Sequence, residues 1–221
     1  SIVPAMLGAE VPRDYLLVFQ NNAETLPLGG SAASQTLIQV DKGSMQILNQ
    51  AASNDFANGS SVEYDVDQSA LDLYSEYLRS HVNTTVSRPD FPTAARLLTK
   101  FWNRDIDQTE IDGVLSVNPL ALQRILKATG PLQVGDREIN DTNAVNILLS
   151  EAYSWFDPRV ADAFFALTAA QVFDKIGSGQ FNPKDMLWAI TASIDNGDIM
   201  FYTEDEQIAP LIDGERIAGV L

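Results

Sequence analysis

The chain has 221 residues, 45% of them apolar, with a formal net charge of −16. That length supports a sizeable core, and that charge repels nucleic-acid phosphates and anionic lipid headgroups at long range, so nucleic acid is not an expected partner and the membrane is expected only through an anchor outside this chain. With no cysteine and a single histidine, His81, disulfides, thiolate zinc sites and a cysteine nucleophile are excluded, and any metal site must be built from oxygens, for Mg²⁺ or Ca²⁺.

The start, Ser1 to Gly8, has no basic segment, so no secretory leader is read there. The missing initiator Met points to a processed or excised piece, with any anchor upstream. No apolar stretch reaches the roughly 18–20 residues of a membrane helix. Residues 15–20 read as a buried strand. Residues 34–40 read as a second, and the turn at 41–43 returns it as a third over 45–48. Residues 51–61 are a polar loop, 62–66 a weakly alternating short strand, and 69–78 a helix by apolar spacing. Residues 93–102 read as a helix entered through Pro89 and Pro92, and 113–117 as a short apolar strand.

Asn118-Pro119 opens a helix in the expected manner: Asn caps free N–H groups and Pro loses no bond in the first turn. Gly130-Pro131 stops it. Residues 132–139 form a small hairpin around Gly135-Asp136, and Thr142 is the expected cap of a helix through Tyr153. Asp157-Pro158 and Asn182-Pro183 open two further helices, ending at Gly177 and Gly197, before a late strand at 198–202 and a short helix from Glu204. Strands interleaved with helices, plus the early hairpin, predict an α/β layered sandwich with a central mixed sheet flanked by helices. Neither a repeat nor a linker interrupts it, so residues 1–221 read as one domain.

Three places could carry chemistry. Gln20 to Glu24 leaves the C-terminal end of the first strand, where open α/β sheets form ligand crevices. There Asn21 and Asn22 offer donors and acceptors, Glu24 a carboxylate, and Gly29-Gly30 a close backbone approach. The same residues also make an ordinary turn. Arg88 and Asp90 sit in a rigid Pro-flanked segment, where Asp90 either caps a helix or holds a cation or sugar hydroxyl. Asp112-Gly113 is a turn before a strand. No Walker loop, dinucleotide fingerprint, zinc-protease motif or nucleophile elbow is present. His81 reads as a surface or turn residue. Trp102, Trp155, Phe156, Phe164, Phe165 and Trp188 fall at helical spacings and read as core rather than as a sugar-stacking platform.

These segments carry a resemblance. Tyr15 to Glu24 with Gly29-Gly30, Pro89 to Ala95, Ile111 to Leu122, Ala128 to Pro131 and Asn143 to Leu149 with Tyr153 resemble, in order, the bacterial domain of unknown function 4012. The resemblance implies an envelope domain on the extracytoplasmic face of the cell membrane, anchored by a helix outside this chain. More remotely the layout is similar to the LytR-CpsA-Psr phosphotransferases, which attach glycopolymers from a polyprenyl-pyrophosphate carrier using Mg²⁺, acidic residues and arginines. By that analogy Asn21, Asn22, Glu24 and Asp90 face the pyrophosphate, with Glu24 and Asp90 as metal donors. The implied partner is a cell-wall glycan or lipid-linked glycopolymer, and the alternative is a non-catalytic interaction or scaffold domain. One departure bears on catalysis: Leu26 stands where many relatives carry arginine, and phosphoryl transfer needs cations.

Overall fold

The computed structural model describes residues 3–21, 24–156 and 158–219. After the short helix α1 (Val3–Met6) come β1 (Arg13–Asn21), β2 (Ser31–Asp41) and β3 (Ser44–Ala52), joined as antiparallel neighbours. Helices α2 (Gln68–Tyr74), α3 (Tyr77–Ser80) and α4 (Phe91–Asp105) lead to β4 (Gly113–Val117), which pairs parallel to β1. Then follow α5 (Pro119–Thr129), the hairpin β5 (Leu132–Val134) and β6 (Arg137–Ile139), α6 (Ala144–Asn146), α7 (Ala152–Trp155), α8 (Pro158–Gly177) and α9 (Pro183–Asp195). β7 (Ile199–Tyr202) closes the sheet antiparallel to β4, and α10 (Ala209–Ile212) follows. The main sheet therefore runs β3-β2-β1-β4-β7 and is mixed, with helices on both faces.

Strand alternation sorts the two faces. Leu16 and Val18 of β1, with Leu37, Val114 and Met200 from its neighbours, pack against Ala94, Leu97, Leu98 and Phe101 of α4. Tyr15, Leu17 and Phe19 point the other way, toward α5, α8 and α9. α4 forms because Asp90 accepts a hydrogen bond from Thr93 N (3.3 Å) and Pro92 occupies the first turn. α5 and α9 start the same way on Asn118 and Asn182, each accepting two backbone N–H bonds.

Several expectations need correction. Residues 62–66 form no strand. The helix expected over 69–78 is broken at Ser75, which adopts φ +60° and separates α2 from α3. Asn140, not Thr142, organises the next helical entry: its Oδ1 accepts from the backbone N–H groups of Thr142 and Asn143 and from the Thr142 hydroxyl. That segment is then interrupted by a wide turn over Ile147–Glu151. The helix expected from Glu204 begins at Ala209. Asn22, Ala23 and the expected cap Asp157 lie outside the described residues.

Candidate functional site

The strand-end loop leaves β1 at Asn21, which is buried and pairs with Ser31 across the sheet. Asn21 O accepts from Glu24 N (3.2 Å), so the chain turns at once, leaving the Glu24 side chain exposed. Gly29 and Gly30 have φ of +100° and +142°. Only glycine takes such angles without strain, and a Cβ on Gly29 would stand 3.3 Å from Gln20 Oε1 and 3.8 Å from Asn118 Nδ2. The glycines thus let the loop lie directly on the ends of β1 and β4.

Asp90 and Arg88 are committed elsewhere. Asp90 Oδ1 caps α4 and Oδ2 accepts from the Thr93 hydroxyl at 2.7 Å. Arg88 Nη1 pairs with Asp67 at 2.7 Å, and its Nε lies 3.4 Å from Asp90. Asp67 is itself the cap of α2, its carboxyl pulled down to about 2 by the Ser69 hydroxyl, the Ala70 N–H and Arg88. Arg88 is therefore a clasp joining two helix starts. α4 begins beside Met200 and stacks Arg96 on the ring of Tyr202, so it runs antiparallel to β4. Asp90 thus lies toward the end of the sheet from which the Gln20–Glu24 loop leaves. No hydrogen bond or ion pair joins Glu24 to Asp90 among the described residues. For Mg²⁺ the donor set is thin: a hard cation needs about six oxygens, and no group of three or more acidic or histidine residues gathers among the described residues.

Sequence reasoning missed a polar network at the same sheet end. Arg124 Nη1 donates to Asp198 Oδ2 at 2.5 Å and to Ser193 Oγ at 3.3 Å. Asn118 Nδ2 donates to Asp198 Oδ1 at 2.7 Å while its own Oδ1 caps α5. Asp198 is buried, and the Arg124 side chain keeps 22% exposure. The available signal was a lone arginine among apolar residues on α5 and an aspartate directly after Gly197, but their pairing spans 74 residues.

On the face away from α4 the sheet does not close against its helices. A cavity of about 310 Å³ lies between β1, β2, β4 and β7 on one side and α5, α8 and α9 on the other. Leu17, Leu115, Val172 and Phe201 line its walls. Leu7 and Ile190 also line it and are 41% and 36% exposed, so they mark its rim. Val117 and Ile199, which adjoin Asn118 and Asp198 in the chain, line the end nearest the polar network. The cavity lining thus stops one residue short of Asn118 and Asp198 in the chain, and neither Asp198 nor its partly buried partner Arg124 lines it. A separate polar hollow of about 290 Å³ holds Tyr64, Arg96, Lys100, Tyr202 and Glu204. There Arg96 already bonds Glu204 and the Tyr64 hydroxyl, and Tyr202 donates to Glu204.

Of the remaining expectations, Trp102 is wholly buried and Phe164 is buried, but Trp188 is 50% exposed and not core. The side chain of Phe165 is outside those described. His81 is half-buried, its ring 4.6 Å from that of Tyr77. Within the described residues no helix is long and apolar enough to cross a membrane.

Solved structures share this fold. Protein gbs0355 of Streptococcus agalactiae aligns over 99% of this chain and 77% of its own, at 11% identity and a TM-score of 0.56. The transcriptional regulator EF0465 of Enterococcus faecalis aligns over 96% and 73%, at 13% identity and a TM-score of 0.51. Lin1025 of Listeria innocua aligns over 94% and 78%, at 13% identity and a TM-score of 0.50. At such identities the likeness is one of fold. A search of curated protein sequences returns no match. The layered mixed-sheet fold expected from the interleaved strands and helices is the one observed. The profile of the DUF4012 family, described as proteins of unknown function, matches residues 10–153, and the chain belongs to that family.

Proposed function

We propose that this domain binds a phosphorylated long-chain lipid, of the kind that carries cell-wall glycopolymers, at the bacterial envelope. The observation that carries the reading is the apolar cavity of about 310 Å³, whose lining residues Val117 and Ile199 adjoin in the chain Asn118 and Asp198, the latter paired with Arg124. The cavity takes the hydrocarbon chain, because moving each buried CH₂ out of water is worth about 0.8 kcal/mol. Its size falls at the lower end of ordinary ligand sites, which span about 300–1,000 Å³. In this reading the phosphate end sits at the strand ends, where Arg124 supplies a cation and Asn21, Glu24, Gly29 and Gly30 supply polar and backbone groups. The LytR-CpsA-Psr resemblance supplies the ligand class and the envelope setting, on the extracytoplasmic face.

Binding is favoured over phosphotransfer by the state of the cations. Transfer needs positive charge free to follow the developing charge on phosphate. Here Arg88 is held by Asp67 and Asp90, and Arg124 by Asp198. In this reading Mg²⁺ arrives with a pyrophosphate ligand and meets Glu24, and no step depends on it. The alternative, an interaction domain without a ligand, is favoured by the capping role of Asp90.

Calorimetric titration with a short-chain polyprenyl phosphate and its free alcohol tests this. Both should bind, the phosphate more tightly, and Ala169→Phe at the cavity wall should abolish both. Arg124→Gln should erase the preference for phosphate. Absence of heat from either ligand, or binding untouched by Ala169→Phe, contradicts the proposal.

A further inference from the structure

The apolar lining of the cavity continues onto the outside of the molecule. On α9, Ile194, Ile190 and Leu187 follow one helical stripe at spacings of four and three. Ile194 and Ile190 line the cavity, and exposure rises along the stripe until Leu187 stands 67% exposed. Trp188 lies beside it, half exposed. A folded domain has no packing reason to expose a leucine and a tryptophan contiguous with an apolar hollow.

The charge around this patch is as distinctive. The chain has only five lysines. Lys127 of α5 sits 5.2 Å from the centre of the Trp188 ring, and Lys184 opens α9 one turn before Leu187. Neither forms an ion pair among the described residues. An exposed tryptophan flanked by unpaired lysines beside an apolar stripe is the chemistry of a membrane interface, where the indole sits at headgroup level and ammonium groups meet lipid phosphate. A soluble protein partner would more often present carboxylates to those lysines, but it would leave the continuity with the cavity unused. A bilayer uses both.

We propose that the outer face of α9, Leu187 and Trp188 with Lys127 and Lys184, docks on a lipid bilayer and opens the cavity rim at Ile190 toward it, so that a lipid chain passes along the stripe into the cavity. The inference rests on the lipid-binding reading above for its purpose, but the docking is testable without it. The remaining acidic surface, repelled by anionic headgroups, keeps the contact to this one face.

The test is sedimentation of the purified domain with vesicles of phosphatidylcholine containing phosphatidylglycerol. The expected result is co-sedimentation, with a blue shift of tryptophan emission. Leu187→Ser combined with Trp188→Ser should weaken binding by about tenfold or more, since two apolar contacts are lost. Both positions are exposed, so the double variant should keep its melting temperature. Lys127→Gln with Lys184→Gln should give a smaller loss, about threefold to tenfold, largest at low salt. Ala169→Phe separates the two proposals: it should lose polyprenyl phosphate in solution and still sediment with vesicles. A wild-type domain that stays in the supernatant overturns the docking proposal. So does a double variant that sediments as the wild type does, or a patch that instead mediates a concentration-dependent dimer abolished by the double variant.

Discussion

The two faces of the central sheet are built from the same strands and end differently. Toward α4, Leu16, Val18, Leu37, Leu97, Leu98 and Phe101 interlock and are wholly or almost wholly buried. Toward α8 and α9, Leu17, Leu115 and Phe201 meet open space. Hydrophobicity alone does not distinguish them, because both faces are apolar. What differs is the partner: α4 lies along the sheet, whereas α9 packs on α5 and α8 on β3 and the β5–β6 hairpin, leaving a gap between. A well-packed face is what stability requires, and an unfilled one is where this chain has room for a ligand.

The largest effect should come from cutting into the closed face. Phe101→Ala should cost about 3–5 kcal/mol, the usual range for a buried phenylalanine, read as a lower midpoint in urea unfolding. Added bulk should be tolerated on the open face: Ala169→Phe should change stability by less than about 1 kcal/mol, against the ~1–3 kcal/mol lost in an overpacked core. Equal losses from the two variants would break the contrast.

A middle-sized effect concerns Tyr15, which lines the open face and donates from its hydroxyl to Met6 O at 2.9 Å. Burial pushes its phenol up to about 12, with the nearby Asp112 adding to the shift. The neutral phenol is therefore favoured by the fold. Its contribution is complete below the unfolded value near 10 and is lost as pH rises from about 10 to 12. Stability measured across that window should fall by about 2 kcal/mol, and Tyr15→Phe should remove this component. A fall of the same size in Tyr15→Phe would contradict the assignment.

The smallest expected effect sharpens the comparison from the other side. The closed face carries its own irregularity: Gln20, Gln35 and Ser116 are buried with no hydrogen-bond partner for their side-chain atoms among the described residues. Gln35 and Ser116 flank Val18 from opposite sides in the sheet register. Unpaired buried amides cost about 1–3 kcal/mol each, and an apolar replacement of similar shape is neutral or better. Gln35→Met should therefore leave stability unchanged or raise it by about 1 kcal/mol. A clear loss would mean that the amide holds something, such as an ordered water.

Much of the layering was legible in the sequence because its signals are local. Asn118-Pro119 and Asn182-Pro183 cap and start α5 and α9 as their residue types demand, and Asp41 to Gly43 turns β2 into β3. Ser75 defeated the pattern, since an apolar spacing over 69–78 does not show that one residue will turn left-handed. The candidate site was less legible. Asn21, Glu24, Gly29 and Gly30 do meet the strand ends, but Arg124 and Asp198 are joined only by folding. Trp188 read as core because helical spacing marks an apolar stripe without saying what covers it.

The open face is the proposed seat of the lipid chain. Methyl-resolved NMR of the domain titrated with a short-chain polyprenyl phosphate tests it most directly. Shifts are expected at Leu17, Ile38, Leu115 and Val172 around the cavity, with Leu97 and Leu98 on the closed face unmoved. Shifts centred on the α4 side, or none at saturating ligand, would contradict it.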